Sequence, residues 1–137
     1  MINKSTPLLL MLPILILTLA ALACGTGYRT TSKITGDSGQ VSIKMNEANE
    51  SDQTSVEINE DYFHERVTAT VSLVVETGSC QATLIGGDGT SISLTASAGN
   101  PAQVYGDLVT DGFGEISLET DAQLATNVEI TIDFALK

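Results

Sequence analysis

Val128, Ile130, Ile132, Phe134 and Leu136 alternate with Glu129, Thr131 and Asp133 at the end of the chain. A period of two places successive side chains on opposite faces of a strand, one buried and one wet. The same rhythm runs through Val41, Ile43 and Met45. It returns in Phe63, Glu65, Val67, Ala69, Val71, Leu73 and Val75, with Thr68, Thr70 and Ser72 on the other face. Cys80, Ala82 and Leu84 repeat it, as do Ile92, Leu94, Ala96 and Ala98, and briefly Ile116 and Leu118. Turn-forming runs separate these segments: Thr77-Gly78, Gly86-Gly87-Asp88-Gly89, Gly99-Asn100-Pro101 and Asp111-Gly112. No stretch after the first two dozen residues has room for a long helix. Short strands spaced near ten residues in a chain of this size predict an all-β fold, a single antiparallel β-sandwich or jelly roll of about eight strands.

The first 23 residues follow different rules. Lys4 and the amino terminus make a short positive region, and Leu8 to Ala23 carry no charge. That run is shorter than the roughly 20 apolar residues a membrane span needs, and it ends in small residues, as a removable signal peptide does. Ala20-Ala21-Leu22-Ala23-Cys24-Gly25 resembles the lipobox of bacterial lipoproteins, although Ala21 stands where leucine is commonest. The resemblance covers residues 1–25. It implies that Cys24 becomes the first mature residue and carries lipid through its sulfur and its freed amine. Two or three acyl chains hold a protein on a membrane where one does not. Ala21-Leu22-Ala23 also suits an ordinary signal peptidase, which would release a soluble product. Residues 24–39, rich in Gly, Thr and Ser, read as a flexible tether with a reach of roughly 20 Å. Residues 40–137 then form the sandwich.

Charge limits the partners. The chain has 17 acids against 6 Lys and Arg, a net charge of −11. No Lys or Arg occurs from Val67 to Leu136. Nucleic-acid binding depends on basic residues that displace counterions from phosphates, so no nucleic acid is expected as a partner. Anionic lipid headgroups would equally gain little from this surface. The densest acidic stretch, Glu47 to Glu65, holds seven acids and weak alternation around Val56 and Ile58. It reads as a mobile insertion, an edge hairpin or a partner-facing loop, with a solvated loop as the plainest case.

Reactive chemistry is sparse. His64 is the single histidine and shares a predicted strand face with Tyr62, Arg66 and Thr68. No nucleophile signature accompanies it, so no catalytic residue is assigned and no enzyme is expected. With Cys24 spent on lipid, Cys80 is the one remaining thiol. Its register with Ala82 and Leu84 makes it a small buried hydrophobe. Zinc sites need three or four thiol or imidazole ligands, no Cys-x-x-Cys-His attaches haem, and no phosphate loop precedes a helix. The expectation is no metal and no cofactor. Calcium stays open as an alternative, because the Gly86–Thr90 and Asp107–Glu115 loops carry oxygen ligands. Carbohydrate is the other alternative, although Trp is absent and only Tyr62 and Tyr105 offer rings for stacking. The sequence therefore predicts an exported, lipid-anchored, non-enzymatic module of the cell envelope, meeting the membrane through its anchor and an envelope or extracellular protein through its sandwich.

Overall fold

The computed structural model describes residues 28–137. The signal run and Cys24 lie outside the described residues. Eight strands follow in order: β1 Tyr28–Thr35, β2 Ser38–Ala48, β3 Ser51–Glu57, β4 Arg66–Val74, β5 Thr77–Ile85, β6 Ser91–Ser97, β7 Ala102–Val109 and β8 Glu115–Leu136. Every strand pairing is antiparallel.

β8 organises the molecule. Its 22 residues pass through both layers of a sandwich. The first half lies between β3 and β5, with Leu118 opposite Thr54 and Leu84. The second half lies between β2 and β4, with Ile132 opposite Val41 and Val71. One layer is thus β1-β2-β8-β4-β7, and the other is β3-β8-β5-β6. The three central ribbons fold over together where β2 gives way to β3, β4 to β5, and β8 turns. At that corner Leu124 and Asn127 adopt left-handed φ values of 49° and 47°. The Asn49 carboxamide oxygen accepts a hydrogen bond from the Leu124 amide at 2.8 Å. Gly78, at φ 74°, lies so close to the Gln123 and Leu124 carbonyl oxygens that no side chain fits there.

The alternation decides which face is buried. Val41, Ile43, Val67, Val71, Leu73, Leu84, Leu118, Ile130 and Ile132 meet between the layers. Cys80 is buried with Ala82 and Leu84, as its register predicts. Burial, with help from the nearby Asp121 charge, pushes the Cys80 thiol up to about 11. It stays protonated at neutral pH and is a poor nucleophile there, because the thiolate is the reactive form.

Three local expectations are corrected. Residues 28–35 are not a tether: they form β1, hydrogen-bonded to β2 from Tyr28↔Met45 to Thr35↔Ser38. Their Thr-rich sequence is compatible with a strand, and the missing hydrophobic alternation goes with the exposure of every residue from Arg29 to Thr35. The acidic stretch is also largely ordered: it supplies the end of β2, all of β3 and a loop. Finally, β4 begins at Arg66 rather than near Tyr62. His64 has a left-handed φ of 53°, which breaks the period of two just before the strand. Phe63 and Glu65 are consequently exposed, whereas Tyr62 is buried. The Tyr62 ring packs edge-on against Phe134, with centroids 6.3 Å apart, and its hydroxyl donates to the Gly36 carbonyl at 3.4 Å.

Candidate functional site

The corner at Asn49 and Leu124 marks one end of the sandwich. The chain enters the described structure there, because Tyr28 pairs with Met45 near the end of β2. At the opposite end lie the Gly36-Asp37 turn and three longer connections: 58–65 between β3 and β4, 86–90 between β5 and β6, and 110–114 between β7 and β8.

These three connections are tied into one unit. The Thr110 side chain is fully buried. Its hydroxyl donates to the Tyr62 carbonyl and accepts from the Glu65 amide at 3.0 Å. The His64 amide donates to the Asp111 carbonyl at 3.0 Å, and the Ile58 amide to the Gly114 carbonyl at 3.0 Å. The Gly87 amide donates to the Val109 carbonyl at 2.8 Å, which docks the 86–90 turn on the same junction. A buried hydroxyl satisfied in both directions fixes its neighbours, because leaving either group unpaired would cost its desolvation.

Two of the carboxylates in the loops that the sequence offers to calcium, Asp88 and Asp111, are engaged with their own turns. Asp111 accepts from the Phe113 amide at 2.8 Å and the Glu115 amide at 3.0 Å. Asp88 accepts from the Thr90 amide and hydroxyl, and these bonds hold its carboxyl below the usual carboxylate range. Both act as turn-forming residues whose side chains bond to backbone two residues on. Among the described residues no three His, Cys, Asp or Glu side chains converge as a metal site.

This fixed end displays apolar surface. Phe63 is 58% exposed and Phe113 is 76% exposed, and both precede or follow residues held by the Thr110–Asp111 network. His64 lies beside Gly112, with no catalytic partner among the described hydrogen bonds. Glu60, Asp61, Glu65, Asp88 and Asp111 lie in the same three connections. Arg66 and Lys137, at the adjoining ends of β4 and β8, both contact Asp107, at 3.9 and 2.8 Å. The end is therefore acidic, with two aromatic side chains projecting from rigid backbone. Sequence reasoning missed it because it placed Phe63 on a core-facing strand. The Gly residues on either side of Phe113 were the available signal.

A concavity of about 660 Å³ opens on the outer face of the four-stranded layer. Gln53 from β3, Glu119 and Asp121 from β8, and Gln81 and Thr83 from β5 line it. None of its lining residues is aromatic. Tyr105, 69% exposed, stands elsewhere, on the outer face of the five-stranded layer.

The architecture defines an all-β antiparallel sandwich of the jelly-roll class. A scan of protein-family models and a search of curated proteins both find no match. Among solved structures, the chain is similar to the CBM22-1 xylan-binding domain of Paenibacillus barcinonensis Xyn10C, at 11% identity over 80% of this chain and 81% of that one, with a TM-score of 0.43. It is also similar to a chain from the Bacillus endospore appendages described as disulfide-linked pili, at 20% identity over 81% and 94%, with a TM-score of 0.41. A carbohydrate-binding module of Cellvibrio mixtus lichenase 5A, solved with cellotriose, matches at 12% identity over 80% and 87%, with a TM-score of 0.36. Likenesses this distant assign no activity to the present chain.

Proposed function

We propose that the chain is a non-enzymatic display module of the bacterial cell envelope, held to a membrane by lipid on Cys24 and meeting an envelope or extracellular protein through its distal loops. The observation that carries this reading is the two-ended arrangement. Cys24 precedes β1 by four residues, and β1 starts at the Leu124 corner, so the anchor and the aromatic loops belong to opposite ends. Strands of 8 to 11 residues separate them, a distance of about 25–35 Å at 3.2–3.4 Å per residue. With β1 starting at Tyr28, at most three residues of spacer remain, so the corner would stand within roughly 15 Å of the anchor sulfur. Rigid loops presenting exposed aromatics suit protein recognition, because their ordering is completed before binding.

A second reading rests on the polar cleft. Gln53, Gln81, Thr83, Glu119 and Asp121 offer the hydrogen-bonding groups a small carbohydrate uses, without the ring that would stack on it. Calorimetric titration with soluble oligosaccharides separates the readings, since only the second expects saturable heat that disappears in Glu119→Ala.

Anchoring is tested on the native protein. Its intact mass should show cleavage before Cys24 and two or three acyl chains on that residue. Cys24→Ser should move the protein from the membrane fraction to the soluble fraction. An unacylated Cys24 at the mature terminus, or membrane association unchanged in Cys24→Ser, would contradict the proposal.

A further inference from the structure

Two sheet edges on the same side of the sandwich are open. β1 closes the five-stranded layer and pairs with β2 alone, and β3 closes the four-stranded layer and pairs with β8 alone. On the other side, β6 and β7 are joined by the short 98–101 turn. Open edges carry unpaired amides and carbonyls that invite another strand.

β1 is unusual in what it leaves uncovered. Thr30, Ser32 and Ile34 lie opposite Ile43, Val41 and Gly39, on the face that β2 turns to the core. Yet Thr30 and Ser32 are exposed, and Ile34 is 45% exposed. The second layer ends before it reaches β1, so this strand overhangs with nothing packed beneath it. Arg29 to Thr35 therefore contribute backbone pairing to β2 while all seven residues stay exposed.

The charges on the two edges are opposite. β1 carries Arg29 and Lys33 and no acid, with Lys44 beside Arg29 on β2. β3 carries Asp52 and Glu57 and no base. Among the described residues, none of these five side chains forms an ion pair. Pairing β1 with β1 or β3 with β3 in a second molecule would set like charges together, which is destabilising across strands. Pairing β1 with β3 sets opposite charges together.

From these edges we infer that a second copy of this chain docks here, the β1 edge of each molecule adding to the β3 edge of the other. The directions allow both contacts at once. β1 runs from the Leu124 corner toward the loop end, because it opposes β2. β3 runs the same way, because it opposes the first half of β8. A two-fold axis along the strands then places β1 of each copy parallel to β3 of its partner. It also exchanges the five-stranded layer of one copy for the four-stranded layer of the other, so outer faces stay outer. The register that sets Lys33 beside Glu57 on the outer face puts Arg29 opposite Gln53 and Ser32 opposite Val56, with Asp52 on the core-facing side. Lys33–Glu57 is thus the direct charge pair, and Arg29 adds the general attraction between a basic and an acidic edge. Closed two-fold assembly is the commonest oligomeric form, and strand addition at an edge is an established mode of recognition. Both amino termini leave such a dimer from the same end. This assembly does not depend on lipid at Cys24.

The test is sedimentation velocity on the full-length chain in a mild detergent, over a concentration series. The parent should sediment as a dimer that weakens as salt is raised from low to high, because partly exposed charge pairs are screened. Arg29→Glu/Lys33→Glu should weaken self-association by roughly tenfold or more, and Asp52→Lys/Glu57→Lys should do the same. Mixed in equal amounts, these two double variants carry complementary edges at both contacts and should recover the dimer. Circular dichroism of each variant checks that the sandwich is retained. A parent that stays monomeric at every concentration, reversed variants that self-associate like the parent, or a mixture that remains monomeric would each overturn the inference. Should a reversed variant lose its fold, the salt response of the parent decides instead, and a salt-independent dimer counts against the charged-edge contact.

Discussion

Ile132→Ala should destabilise the domain by about 2–5 kcal/mol, whereas Thr131→Ala, one residue earlier, should change stability by no more than about 0.5 kcal/mol. Ile132 is fully buried in the middle of β8, between Val41 on β2 and Val71 on β4. Removing three carbons there forfeits their transfer from water and leaves a cavity that stiff strands on both sides cannot close. Thr131 points to the outer face, between Ser42 and Ser72, where water replaces whatever it loses. Native stabilities are commonly 5–15 kcal/mol, so the larger loss in a domain this small approaches outright unfolding. Ile132→Val, at about 0.5–1.5 kcal/mol, keeps the comparison measurable if the alanine variant does not fold. Urea titration of the three variants reads the difference as a shift in midpoint at constant slope. Equal losses at 131 and 132 would contradict this register, and a larger loss at 131 would mean that β8 turns its other face inward.

The second large effect is expected at the loop end, from Gly114→Ala. Gly114 has a left-handed φ of 73° and is buried. A methyl group there would collide with the Asn59 carbonyl oxygen. The same glycine accepts the Ile58 amide through its carbonyl and gives its own amide to Asp111. Backbone strain of about 1–3 kcal/mol adds to a comparable overpacking cost, so the loss should reach about 2–6 kcal/mol. Its location makes it diagnostic. The Thr110–Asp111 network should loosen first, so amides of residues 58–65 should exchange hydrogen faster while those of β8 between Val128 and Phe134 stay protected. Uniform loss of protection would show that the loops and the core unfold together. Unchanged stability would show that the Gly114 junction is not as tight as its geometry requires.

How much of this was readable before the structure depends on what each residue packs against. Val128 to Phe134, Val67 to Val75 and Cys80 to Leu84 could be assigned because each strand has one dry face, and dryness writes a period of two into the sequence. β1 could not, because Thr30, Ser32 and Ile34 overhang the second layer and no burial selects apolar residues there. β7 was equally silent: its central residues are only half-buried, and Tyr105 faces solvent. The unity of β8 was hidden by its corner, where Leu124 and Asn127 take left-handed conformations that nothing in a Leu or Asn demands. The loop end shows the same limit. Phe63 fits the alternation leading into Val67, and only the backbone at His64, fixed by the distant Thr110 and Asp111, turns it outward. Contacts between residues nearly fifty positions apart leave no local pattern to read.

The central claim, that anchor and recognition loops occupy opposite ends, is tested most directly by position relative to a bilayer. Phe113→Cys and Leu124→Cys, each in a Cys80→Ala background, can be labelled with a fluorophore in the acylated protein inserted into vesicles. Lipids carrying a headgroup-bound nitroxide then report proximity. The label at 124, at the corner where β1 begins, should be quenched strongly. The label at 113, about 25–35 Å away along the strands, should keep nearly all of its emission. Equal quenching at the two sites, stronger quenching at 113, or none at either would contradict the account.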